Sequence, residues 1–215
     1  MIKVLVVDDH DLVRSGIARL LDDAKGIEVI GEAECGEDAV KLCRELGPDV
    51  VLMDISMPGI GGLEATKKVL RANPDIKVIA VTACDDGPFA SRFLQAGAAG
   101  FMGKGAGIKE MVNAILKVRS GQRYISPDIA QRMALKPYSD DQQSPFDALS
   151  ERELQTALMI VGCHKVQEIS DKLCVSPKTI NTYRYRIFVK LGINSDVELT
   201  ILAMKHGMLD PQVSA

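Results

Sequence analysis

The chain has 215 residues, 47% of them hydrophobic and 26% charged, with a formal net charge of −3. That is enough for two domains with cores of their own, and it excludes a disordered chain. The charge balance excludes a uniformly basic nucleic-acid binder but not a local basic patch: residues 1–120 carry 15 basic and 18 acidic side chains, residues 150–215 carry 8 and 7.

The opening MIKVLVVDDHD turns acidic before the apolar core of a signal peptide could form, and no apolar run is long enough to span a bilayer. The expectation is a cytoplasmic protein without a membrane partner. Five cysteines (Cys35, Cys43, Cys84, Cys163, Cys174), an odd number without a CxxC pair, read as reduced small hydrophobes. The histidines His10, His164 and His206 are far apart and read as satisfied or solvated.

In chain order, Val/Ile-rich runs at 3–7, 27–33, 49–54, 77–82 and 99–102 alternate with segments of helical period at 12–23, 37–45, 63–72, 89–96 and 108–120. Strands that are continuously apolar, each followed by a helix, predict a parallel sheet of five strands covered on both faces. Residues 121–147 contain prolines and the polar run SDDQQS, and predict a linker with one short helix at 128–134. From residue 148 the pattern is helical only. Ser150 and Glu153 form a capping box, a short helix covers VQEISDKLCV, Ser176 and Pro177 open a third helix ending before Gly192, and Ser195 opens a fourth that stops near Gly207.

In an open parallel sheet, ligands bind beyond the carboxyl ends of the strands. Here those ends carry Asp8 and Asp9, Asp54, Thr82 and Lys104. Three converging carboxylates repel one another, and a hard divalent cation, with Mg²⁺ the natural choice, holds them ionised. Asp54 then reads as a carboxylate nucleophile beside a metal, and Pro58 with the glycines after it breaks the chain into a loop that leaves space for a phosphoryl group. The run GIGG (59–62) follows the third strand and has Glu64 where a dinucleotide loop needs its last glycine, so it reads as a turn. In the third C-terminal helix, Lys178, Arg184, Arg186 and Lys190 occur without an acidic residue and with Tyr183 and Tyr185 between them. A short helix, a tight turn and this basic helix predict a helix-turn-helix.

The motifs VDD, MDISMPGIGG, VT and GFMGK together resemble the receiver domain of bacterial response regulators. LSERE, EISDKL, SPKTINTYRYRIFVKLGI and DVELTILAMKHGML resemble the four-helix LuxR-type DNA-binding domain, joined to a receiver as in the NarL/FixJ family. The resemblance implies a flavodoxin-like, doubly wound receiver at 1–120, a linker at 121–147 and a LuxR-type domain at 148–215. It implies that a sensor histidine kinase phosphorylates Asp54, that Asp8, Asp9, Asp54 and the Ser56 backbone carbonyl serve Mg²⁺, and that Thr82 and Lys104 hold phosphoryl oxygens. Phe101, where many receivers carry Tyr, would register the change through its ring. Lys178, Thr179, Asn181, Thr182, Arg184, Tyr185, Arg186 and Lys190 would meet double-stranded DNA. Paired half-sites predict a homodimer on phosphorylation, with Leu199, Leu202 and Ala203 on one apolar side of the fourth helix as the contact. Val166 and Gln167 replace the usual Asn-Lys of the scaffold helix, and Val189 stands where a basic residue is common.

PGIGGLEAT, LQAGAAGF and SPFDALSERE place the resemblance in the GacA/UvrY branch. That branch implies a GacS/BarA-type kinase and activation of small-RNA genes that antagonise a CsrA/RsmA-type translational repressor. The expectation is a stoichiometric phosphoacceptor with self-dephosphorylation rather than an enzyme. An aspartyl-phosphate phosphohydrolase and a phosphorylation-independent adaptor are the alternatives. Against the hydrolase, Ser56 stands where such enzymes carry a second aspartate.

Overall fold

The computed structural model describes residues 1–82, 87–135 and 144–206. The chain divides into two units, Met1–Arg132 and Met133–Ala215.

The first unit alternates strand and helix: β1 (Ile2–Val7), α1 (Asp11–Asp22), β2 (Ile27–Ala33), α2 (Gly36–Leu46), β3 (Val50–Asp54), α3 (Gly61–Ala72), β4 (Lys77–Thr82), α4 (Gly87–Gln95), β5 (Gly100–Gly103), α5 (Ile108–Arg119) and β6 (Tyr124–Ile125). All neighbouring strands are parallel, in the order β2-β1-β3-β4-β5-β6. Val4, Leu5, Val6 and Val7 are all buried, as are Val50 to Met53, because helices cover both sheet faces. On one face Val4, Val6, Leu52 and Ile79 pack with Ala18 and Leu21 of α1 and Met111, Ala114, Ile115 and Val118 of α5. Helices α2, α3 and α4 supply Ala39, Val40, Val69, Ala90 and Phe93 to the remainder of the core.

The strand order reverses between β1 and β3, so the crevice of this sheet opens where Asp8 and Asp54 leave it. Gly62 lets α3 approach that point: a Cβ here would lie 2.0 Å from the Asp54 carbonyl oxygen. Only glycine permits the helix to start against the backbone of the strand it follows.

The sheet has six strands where five were expected. β6 is two residues long, too short for an apolar periodicity to reveal, and lies in the segment read as linker. It is held by the Ser126 N–H donating to the Phe101 carbonyl and by the Tyr124 hydroxyl donating to Glu110 at 2.8 Å. A helix, α6 (Pro127–Leu135), follows, and a short 3₁₀ turn at Pro145–Ala148 buries Phe146. The remainder of the polar run, residues 139–143, lies outside the described residues.

The second unit consists of α7 (Glu151–Val161), α8 (Val166–Leu173), α9 (Pro177–Leu191) and α10 (Asp196–Lys205). The Ser150 and Glu153 capping box is present in full, and Ser176 and Ser195 accept N–H hydrogen bonds at the starts of α9 and α10. Gly192 closes α9 with φ +66. Leu154, Ala157, Ile169, Ile180, Ile187, Leu199 and Ala203 form the core. The predicted stop at Gly207 lies outside the described residues, as does Cys84. Among the described cysteines, Cys43 is buried, Cys35 is partly so, and Cys163 and Cys174 are exposed at helix ends, so the reading of all five as small hydrophobes fits only in part. Among the described residues no helix is long and apolar enough to cross a membrane.

Candidate metal centre and nucleic-acid interface

At the carboxyl ends of β1 and β3 the side chains of Asp8, Asp9, His10 and Asp54 bring their ligand atoms within 4.8 Å of one another. Asp8 and Asp54 are each 2% exposed. The Lys104 ammonium, on the turn after β5, contacts both, at 2.7 Å from Asp8 and 2.9 Å from Asp54. Thr82 is buried at the end of β4, one residue beyond the partner of Asp54, and its carbonyl accepts the Lys104 N–H at 2.5 Å. Four of the five side chains predicted from the strand ends, Asp8, Asp9, Asp54 and Lys104, therefore gather at one crevice, and Thr82 ends the strand beside it. Ser56 is exposed beside it, and its N–H makes a long 3.4 Å contact to Asp54 Oδ1.

Two contributors escaped the sequence reading. Arg14 of α1 donates to the Asp8 carbonyl at 2.8 Å while pairing with Asp11 and Glu32, and so fixes the backbone at the end of β1. The Asp11–Arg14 spacing was the available signal. His10 was read as satisfied or solvated and given no place in the site; its Nδ1 lies 2.8 Å from Asp9 and its backbone N–H donates to Asp8.

Among the described residues one ammonium faces three carboxylates, which leaves an excess of negative charge. Burial raises the Asp54 carboxyl to about 6. Lys104 opposes that rise, and Asp8 and Asp9 add to it. Burial pulls Lys104 down, but Asp54 and Asp8 outweigh it and leave the ammonium above its usual range. Oxygen donors with unneutralised charge suit a hard divalent ion such as Mg²⁺, so the donor set fits the metal that the sequence implies.

Phe101 of β5 is fully buried and meets Phe93 of α4 edge to face, with centroids 6.3 Å apart at 69°. Its neighbour in register on β4 is Ala80, two residues before Thr82.

In the second unit, α8 and α9 meet at a tight turn where Cys174 takes a left-handed conformation and the Ser170 hydroxyl donates to the Val175 carbonyl. Lys178, Asn181, Thr182, Tyr185 and Arg186 are exposed on α9, with Tyr185 at 70%. Val189 is also exposed, so an apolar side chain continues the stripe through Lys178, Thr182 and Tyr185. Thr179 is half-buried beside Ser176, where its N–H completes the helix cap.

Two of the four cations are engaged within the fold. Lys190 donates at 2.6 Å to Glu153, whose side chain is 4% exposed; burial pushes Glu153 up, and Lys190 with the Ser150 N–H overcomes that and holds it below its usual value. Arg184 makes a two-pronged pair with Asp196 of α10 and lies over the Phe188 ring. Both were read as phosphate contacts. They join α9 to α7 and α10 because a nearly buried carboxylate in one case, and a planar fork in the other, requires the partner.

Leu199 and Ala203, expected at a dimer contact, are wholly buried in their own unit. The exposed apolar side of α10 carries Val197, Ile201 and Met204, at 68%, 60% and 49%.

Residues 4–116 match the model of the response regulator receiver domain, and residues 147–203 match that of the luxR family of bacterial regulatory proteins. The chain is a two-component response regulator with a LuxR-type helix-turn-helix domain. It is 69% identical over 211 residues to response regulator GacA of Pseudomonas aeruginosa, covering 98% of this chain and 99% of the relative. To response regulator UvrY of Escherichia coli it is 58% identical over 213 residues, covering 99% and 98%. Among solved structures, RcsB of Salmonella enterica serovar Typhimurium, bound to promoter rprA in the presence of the phosphomimetic BeF3-, has a TM-score of 0.66 at 25% identity, covering 95% of this chain and 99% of that one. Membership brings phosphorylation-dependent DNA binding and transcription regulation as the function.

The raised Asp54 carboxyl has a consequence for the stability of this regulator. An unfolded chain releases that proton near 3.8, whereas the folded receiver keeps it to about 6. The favourable contribution to folding is complete below pH 3.8 and is lost as pH rises through 6, a difference of about 2–3 kcal/mol. Urea unfolding of Asp54→Asn should therefore show a more stable protein than wild type at pH 7.5 without metal, with the gain gone near pH 4. A wild type as stable as the variant at both pH values contradicts the assignment.

Proposed function

We propose that Asp54 is the phosphoacceptor of this response regulator. The observation that carries the reading is the contact of one ammonium, Lys104, with both Asp8 and Asp54 in a crevice that still lacks positive charge. Asp8, Asp9, Asp54 and the Ser56 carbonyl would hold Mg²⁺, which when bound neutralises phosphoryl oxygens as they arrive. An Asp54 carboxylate oxygen attacks phosphorus, the P–N bond to a sensor-kinase histidine breaks, and the nitrogen keeps the electron pair. Lys104, once drawn from Asp54, pairs with a phosphoryl oxygen, and the Thr82 hydroxyl donates to another. Phe101, packed on Phe93, conveys the displacement to α4.

The acceptor acts stoichiometrically and in the cytoplasm. The near-complete coverage by GacA and UvrY supports a GacS/BarA-type kinase and the activation of small regulatory RNA genes that antagonise a CsrA/RsmA-type repressor. The phosphorylated protein binds double-stranded DNA as a homodimer, in keeping with paired half-sites. Val197, Ile201 and Met204, spaced to share one exposed side of α10, form the contact with the second copy.

Two experiments test this reading. Intact-mass measurement after incubation with a small phosphodonor and Mg²⁺ should show one phosphoryl adduct on wild type and none on Asp54→Asn; equal adducts refute the assignment.

On DNA, Lys178 and Arg186 meet phosphates, while Asn181, Thr182 and Tyr185 face base edges and Thr179 supports them at the helix start. Arg186→Ala should lower the salt slope of binding by about one, and Tyr185→Ala should reduce the preference for operator over random duplex by about 1–3 kcal/mol. Lys190→Ala should leave the slope unchanged and destabilise the domain by about 1–3 kcal/mol, since it strands Glu153. A salt slope that falls for Lys190→Ala but not for Arg186→Ala reverses the assignment.

A further inference from the structure

The loop from Asp54 to α3 is fastened unevenly. Its first half is tied to the sheet: the Ile55 N–H donates to the Val81 carbonyl at 3.2 Å, and Ile55 and Met57 are each 1% exposed. Its second half, Pro58 to Ile60, is only half-buried. Gly59 and Gly61 both take left-handed backbone, with φ of +72 and +73, and proline has no N–H to offer. Two such glycines around one residue leave the chain free unless something outside holds it.

Glu37, in the first turn of α2, supplies that hold. Its Oε1 accepts the Ile60 N–H at 3.0 Å. Its Oε2 lies so near Gly59 that a Cβ there would be 2.2 Å away. The start of α2 is itself seated on the loop, because a Cβ on Gly36 would fall 2.7 Å from Ile60 Cγ1 and 2.9 Å from the Gly61 carbonyl oxygen. The carboxylate is thus braced by a helix whose N-terminal end favours negative charge, and it grips the loop five and six residues beyond Asp54. Ser56 lies in the first half, between Ile55 and Met57, but it is itself exposed and its own 3.4 Å contact to Asp54 is too long to fix the backbone.

We infer that Glu37 is a positioning residue for the phosphoacceptor loop: it holds Gly59 and Ile60 so that the Ser56 carbonyl is aimed at the metal held by Asp8, Asp9 and Asp54. The inference rests on the proposed role of that crevice. It assigns Glu37 no contact with metal or phosphoryl group.

The test uses the full-length protein as wild type, Glu37→Ala and Glu37→Gln. It reads amide hydrogen exchange at Ile60 without metal, the Mg²⁺ dissociation constant from amide shift titration, and the unfolding midpoint. Glu37→Ala should speed Ile60 exchange about tenfold and weaken Mg²⁺ binding about three- to tenfold, with the midpoint moved by no more than a few degrees. Glu37→Gln keeps an acceptor oxygen and should stay within about twofold of wild type on both readouts. Wild-type exchange and Mg²⁺ affinity in Glu37→Ala overturn the inference. So does an equal loss of affinity in Glu37→Gln, which would make Glu37 a source of charge rather than of position. Failure of the crevice reading is distinguishable, because wild type would then bind no Mg²⁺, and the inference falls with it.

Discussion

Among the described residues, three carboxylates share one crevice with a single ammonium. This imbalance arises from topology: the order β2-β1-β3 puts the ends of β1 and β3 side by side, so Asp8, Asp9 and Asp54 converge whatever their mutual repulsion. Burial intensifies it, since Asp8 and Asp54 have almost no contact with water. Lys104 relieves part of it through contacts to two of the three acids, and Arg14 holds the Asp8 backbone in place from the other side. The receiver is therefore built around a deficit of positive charge, which suits the crevice to a hard cation. Local instability at such a point is the usual companion of function.

The helix-turn-helix unit commits two of the four α9 cations to its own architecture. Lys190 neutralises the buried Glu153 that caps α7, and Arg184 clamps α10 through Asp196, so α9 is fixed at two levels along its length. Lys178 and Arg186 are left on the outer face with Asn181, Thr182 and Tyr185. A recognition helix needs this rigidity, because base readout depends on placing a few side chains within hydrogen-bonding reach of a groove.

Much of this was legible in the sequence. The strand-end acids, Thr82 and Lys104 were visible because each follows an apolar run of strand length, and the capping box at Ser150 and Glu153 is a local signal that needs no tertiary information. What escaped was decided by tertiary contact. A basic residue on α9 does not reveal that an acid 37 positions earlier receives it, as Glu153 receives Lys190. Helix α10 is apolar on more than one side, so period alone could not tell that Leu199 and Ala203 face inward while Val197, Ile201 and Met204 face out. β6 has two residues, and its Tyr124 is explained only by Glu110 and by the Lys117 ammonium 5.5 Å from its ring. Glu37 looked like an ordinary first-turn acid until Gly59 and Ile60 were seen against it.

The charge deficit itself is open to direct measurement by following the carboxyl carbon of Asp54 with ¹³C NMR as pH is varied, with and without Mg²⁺. Without metal, the titration should centre near the raised value of about 6. Saturating Mg²⁺ should move it down by at least about one unit, toward the ordinary carboxylate range, as cation binding favours the ionised form. An Asp54 that titrates near 3.8 in the metal-free protein, or whose midpoint is indifferent to Mg²⁺, would contradict the account.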